Sequence, residues 1–168
     1  MKFSNTEGIH MTPDDVARRA QELFQEGYHC SQAVFAAGAE MLGKEVPDAV
    51  VAALSPFGGG LGSTGAVCGS LPGALAVIGL TTGKTNPRAR DNKAMWRLSH
   101  RMVKEFAEMT SPYGGTNCAD IARVDWRDRE QTAAFHKRVD GRRQECLKVI
   151  GATAKALGNI LEELRKHP

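Results

Sequence analysis

The sequence predicts an all-α protein, a single-domain bundle of six to eight helices. Apolar residues recur at three- and four-residue spacing through most of the 168 residues, helix-start signatures punctuate the chain, and no stretch alternates with the period of two that a half-buried strand requires. The length suits one core of ordinary size, and a hydrophobic fraction of 42% with 24% charged residues excludes a disordered, collagen-like or disulfide-dense chain. Residues 1–11 are expected as a tail and 12–168 as the domain.

The elements follow in order. Thr12, Pro13 and Asp15 form a cap, a proline at the first helical position and an acid three residues after the cap, and Gly27 closes that helix. A second helix is expected from His29 or Cys30 to Leu42, with Cys30, Val34, Ala37 and Met41 on one face. Pro47 and Asp48 open a short apolar helix ending near Ser55-Pro56, and the glycine-rich run Phe57 to Gly65 is a loop. Helical spacing resumes over Ala66 to Thr82, where Cys68, Leu71, Leu75 and Ile78 align. Next comes a helix from about Pro87 to Met109, with Met95, Leu98, Met102 and Phe106 inside and Arg90, Lys93, Arg97, Arg101 and Lys104 outside. A break at Pro112 and Gly114-Gly115 leads to a cap at Asn117 with Asp120 around Cys118. Asp128 with Gln131 starts a further helix, and Asp140-Gly141 either interrupts it or starts another. The last helix carries Leu147, Ile150, Ala154, Leu157, Leu161 and Leu164, the seam of an antiparallel bundle or of self-association as a homodimer.

Charge is uneven along the chain. Residues 1–50 hold four basic and eight acidic side chains, residues 84–168 hold eighteen basic and eleven acidic, and the 35 residues from Ala49 to Gly83 hold none. The basic half alternates with acids along amphipathic helices, so it is a solvated face or a docking face for an acidic redox partner. Trp96 and Trp126 among scattered arginines make no stacking platform, and no nucleic-acid function is expected. No apolar run is long enough to span a membrane. Met1 to His10 has neither an apolar core nor a twin arginine, which predicts no secretory signal and a cytoplasmic location.

Four single cysteines, Cys30, Cys68, Cys118 and Cys146, carry the chemistry. None forms a CxxC pair, which argues against a zinc ribbon, a thioredoxin-type dithiol and an attached c-type haem. Each is expected in or beside a first or second helical turn, where the helix dipole favours thiolate. Four such thiols converging in space would suit a metal or an iron–sulfur cluster. Ordinary core packing and disulfide exchange fit the same spacing. Glycines crowd around Cys68, and Gly58, Gly59, Gly60, Gly69 and Gly73 serve either close helix packing or backbone access to a cofactor. Gly60 to Gly65 matches GxGxxG, but no strand precedes it and no acid follows at the required distance. His29 either hydrogen-bonds a sulfur, replaces a ligand or caps the preceding helix, Tyr113 and Asn117 either shield Cys118 or pack within their loop, and His100 and His136 are expected in solvent. No hydrolytic triad, carboxylate pair or HExxH motif occurs, which points away from an enzyme of those classes.

Cys68-Gly69-Ser70-Leu71-Pro72-Gly73, with one lone cysteine before it and two after, resembles the C_GCAxxG_C_C family of redox-active proteins over roughly residues 14–155. Ser70 stands where the family pattern has alanine. The resemblance implies redox activity with an iron–sulfur cluster on Cys30, Cys68, Cys118 and Cys146, with zinc as the alternative metal. The three glycines Gly58 to Gly60 with Gly69 and Gly73 would then give backbone access, and Ser70 a hydroxyl donor to sulfur. The competing functions are a metal-free thiol–disulfide protein and a structural or interaction protein.

Overall fold

The computed structural model describes residues 11–137 and 141–166. It contains eight helices: α1 (Pro13–Glu26), α2 (Cys30–Met41), α3 (Asp48–Ala53), α4 (Ser70–Thr82), α5 (Lys93–Thr110), α6 (Cys118–Ala122), α7 (Arg129–His136) and α8 (Arg142–Lys166). Single 3-10 turns lie at Ser55–Phe57 and Ser111–Tyr113. No strand occurs among the described residues, so the all-α bundle is as expected. The expected tail, apart from Met11, and Asp140 of the expected break lie outside the described residues.

Local chemistry sets the boundaries. Thr12 and Asp15 form a reciprocal capping box at the start of α1, and Gly27 ends it in a left-handed conformation, φ 117°. Ten of the twelve residues of α2 are buried, and many of them are alanine or glycine, which lets α1, α4 and α8 pack closely on it. Buried polar groups fix its first turn: Ser31 Oγ donates to the Leu54 carbonyl at 2.8 Å, and Gln32 Nε2 donates to Val51 O at 3.1 Å. Helix α8 runs through the assembly and packs on α1, α2, α4, α5, α6 and α7, burying Leu147, Ile150, Ala154, Leu157 and Leu161 on the predicted seam.

Two boundaries differ from the sequence expectation. α5 begins at Lys93 rather than Pro87, because Asn92 Oδ1 accepts from the Ala94 N–H at 2.9 Å and Lys84 pins the preceding turn through Asp91 at 2.9 Å. Arg90 therefore precedes the helix and Met95 is only half-buried, whereas Leu98, Met102 and Phe106 are fully buried as expected. α4 begins at Ser70 rather than Ala66. Cys68 N–H donates to Thr116 O at 3.0 Å and Cys118 N–H to Ala66 O at 2.7 Å, an antiparallel bridge at Val67 and Asn117 that holds Ala66 to Cys68 extended.

The Phe57 to Gly65 loop has a left-handed turn. Five successive residues, Gly59, Gly60, Leu61, Gly62 and Ser63, have φ between 52° and 76°. Leu61 and Ser63 are in a region that side chains disfavour. The basic face of α5 is neutralised in part, since Arg97 and Arg101 both reach Glu163, at 3.1 and 2.6 Å. No helix among the described residues is long and apolar enough to cross a membrane.

Candidate redox site

All four cysteines line one cavity of about 340 Å³. They reach it from four segments: Cys30 is the first residue of α2, Cys68 precedes α4 by two residues, Cys118 opens α6, and Cys146 sits in the second turn of α8. The bridge at Val67 and Asn117 sets Cys68 beside Cys118, and the ties of Ser31 and Gln32 hold Cys30 near the loop after α3. Arg143 fixes the start of α8, donating from Nη2 to Phe24 O at 2.8 Å with its guanidinium 4.1 Å from the centre of the Phe24 ring. None of the four thiols is bridged.

Thiolate is favoured at one of the four, Cys68, chiefly through its neighbour Cys30, and the expectation from helix ends is overturned at the other three. The Cys30 thiol donates to Cys68, and together with the backbone and hydroxyl of Ser70 this draws the Cys68 pKa down to about 7. Cys68 Sγ and Ser70 Oγ are 3.6 Å apart: the thiol donates while protonated, and the hydroxyl donates once the sulfur is anionic. The same Cys30–Cys68 hydrogen bond, reinforced by burial, holds Cys30 protonated well above the usual thiol range. Burial, with the charge of Cys68, pushes Cys118 up to about 11, and burial drives Cys146 higher still. Desolvation and mutual repulsion among clustered sulfurs outweigh the partial charge of a helix end.

One measurable consequence is selective reactivity. A thiolate is the nucleophile, so in the metal-free protein Cys68 should be alkylated first by iodoacetamide, at a rate that rises with pH through a midpoint of about 7. Ser70→Ala removes a donor to the anion and should shift that midpoint upward. Mass mapping showing Cys118 or Cys146 modified first at pH 7 would contradict this order.

The glycines divide between two roles. Gly58 and Gly59 line the cavity, and a Cβ at Gly58 would stand 2.8 Å from His29 Nδ1. Gly60, Gly69 and Gly73 do not line it. Gly60 closes the left-handed turn against the backbone of Ala66, and Gly73 abuts the Ser31 carbonyl where α4 crosses α2. Gly69 lies behind the site, its Cβ position 2.8 Å from Cys30 Sγ. Ser70 is fully buried beside Cys68 but is also not part of the cavity wall.

His29 lines the cavity, and its backbone N–H donates to Gln32 Oε1 at the start of α2. Tyr113 is turned to Glu145, donating to Oε2 at 3.0 Å, and Asn117 is exposed, so neither covers Cys118 from within the cavity. His100 is exposed as expected. His136 is exposed too, yet it borders the cavity with Trp126, Phe135 and Arg143, residues whose place sequence reasoning missed. Trp126 meets Phe135 edge-on at 5.0 Å and His136 at 6.5 Å.

A family model described as "Putative redox-active protein (C_GCAxxG_C_C)" matches residues 28–160, a span that contains all four cysteines and the cavity they share. The chain belongs to this family. The family model carries that redox description, and in this chain an all-α bundle is the scaffold for its four cysteines. No curated protein and no solved structure matches the chain. Among the described residues, no three His, Cys, Asp or Glu side chains are placed to hold a single metal ion.

Proposed function

We propose that the cavity takes an iron–sulfur cluster on Cys30, Cys68, Cys118 and Cys146, for electron transfer or redox sensing. The observation that carries this reading is the arrival of four thiols from four separate segments on the wall of one 340 Å³ space. The residues fit such a group. All four donors are soft sulfurs, the class that selects iron–sulfur clusters, zinc and copper(I). A lone zinc would draw four sulfurs to about 2.3 Å from one point. Zinc is the alternative metal, and metal analysis per chain separates the two.

Bound there, a cluster supplies one-electron chemistry. The protein's part is to hold four thiolates apart at fixed positions, to limit water with Phe24, Phe135 and Ile150, and to stabilise sulfur charge through Ser70. Anaerobic purification and reconstitution, with iron and acid-labile sulfide measured per chain, tests the proposal. Stoichiometric iron and sulfide, falling at least about tenfold in each single Cys→Ser variant, is the expected result. Iron-free protein after reconstitution, or iron indifferent to these substitutions, would overturn it.

A second reading rests on the Cys30–Cys68 hydrogen bond. The Cys68 thiolate attacks a disulfide such as oxidised glutathione and releases one thiol. Cys30 then loses its proton and displaces the second thiol from Cys68, leaving a Cys30–Cys68 disulfide. It predicts iron-free protein whose thiol count falls from four to two with oxidised glutathione.

A further inference from the structure

The indole nitrogen of Trp126 is buried in the protein without a hydrogen-bond partner. An indole has one donor and no acceptor, and leaving that donor unmet costs about 1–3 kcal/mol. The ring is held in place: Phe135 packs on it edge-on with an interplanar angle of 79°, and the Trp126 carbonyl accepts from Thr132 Oγ1 at 3.4 Å. Gly59 lies beside the ring, where a Cβ would be in ordinary contact with Trp126 Cδ1 at 3.6 Å. Trp126 and Cys118 line the same cavity. The neighbouring indole favours the Cys118 thiolate, against the opposing effect of burial.

We propose that Trp126 is a positioning residue that donates its indole N–H to the sulfur of Cys118 and thereby raises the reduction potential of the group bound there. This rests on the cluster reading above. A hydrogen bond to a sulfur ligand withdraws negative charge, and it strengthens when an added electron increases that charge, so it stabilises the reduced state more than the oxidised one. The unmet donor is thus matched to an acceptor that exists in full only when sulfur is anionic. Ser70 is the companion donor at Cys68, so under this proposal two of the four sulfurs have a side-chain donor.

Replacing Trp126 with 3-benzothienylalanine, which keeps the bicyclic shape and substitutes sulfur for N–H, tests the bond without opening a void. Trp96 is 63% exposed, so Trp96→Phe gives a background with one tryptophan to label. In the reconstituted protein, dithionite titration against redox mediators should show the analogue about three- to tenfold less reduced at a fixed poise, tenfold being 59 mV for one electron. An unchanged potential in a fully loaded analogue would overturn the proposal. A second readout uses metal-free protein. The Trp126 indole N–H resonance should move in Cys118→Ala and stay in place in Cys146→Ala. If no cluster forms in the parent protein, the cluster reading fails by itself, and this resonance decides the Trp126–Cys118 contact: indifference to Cys118→Ala overturns it.

Discussion

Gly73→Ala is expected to destabilise the protein by about 2 kcal/mol or more, although alanine is the better helix former by about 1 kcal/mol. Gly73 lies in α4 where that helix crosses α2, and a Cβ would strike the Ser31 carbonyl oxygen, with Ser31 C and Cα next at 3.1 Å. These are backbone atoms and cannot rotate away. Ser31 is itself fixed, its hydroxyl donating to Leu54 O on a helix that is buried along most of its length. Overpacking of this kind typically costs 1–3 kcal/mol and more where the backbone cannot yield, so the contact outweighs propensity. Gly79 is the matched control. It lies in the same helix with nothing within 4 Å of its Cβ position, so Gly79→Ala should stabilise by up to about 1 kcal/mol. Urea unfolding of the two variants decides: Gly73→Ala at least as stable as Gly79→Ala would refute the close helix crossing.

What the sequence revealed was local, and what it concealed depended on distant segments. Thr12 with Asp15, and Asp128 with Gln131, announce helix starts because caps act within four residues, and the seam of α8 is legible because helical period alone sets it. The delayed start of α4 was not legible. It depends on pairing of Ala66 and Cys68 with Thr116 and Cys118, about fifty residues away, which no propensity of the intervening chain encodes. The four cysteines stood out by type and by their place near helix starts, but their protonation did not, since burial and neighbouring sulfurs are properties of the assembled cavity. Trp126, Phe135, His136 and Arg143 gave no motif. The only available signal was their concentration between Cys118 and Cys146, in chain that must pass near both. The glycines could not be sorted beforehand, because cavity wall at Gly58 and Gly59 and helix crossing at Gly73 demand the same missing side chain.

Gly69→Ala should disturb the site as well as the scaffold. Gly69 has φ −60° and ψ −19°, so alanine fits its backbone and any penalty is steric. The added Cβ would lie 2.6 Å from Phe57 O and 2.8 Å from Cys30 Sγ. The Phe57 carbonyl is backbone and cannot rotate away, so the variant also loses stability, while the Cys30 sulfur is displaced by rotation about χ1. Its rotation breaks the hydrogen bond to Cys68 and withdraws one of the four thiols from its place. Iron content after reconstitution should therefore fall about tenfold or more, as for loss of a ligand. In the metal-free protein the Cys68 alkylation midpoint should rise from about 7, because the lost Cys30 donation was the largest influence lowering it. Gly73→Ala should lose stability too, but its folded fraction should still bind iron and keep the Cys68 midpoint, since Gly73 touches Ser31 rather than a sulfur. Wild-type iron binding together with an unchanged Cys68 midpoint in Gly69→Ala would show that the Cys30–Cys68 pairing does not depend on the bare backbone between them.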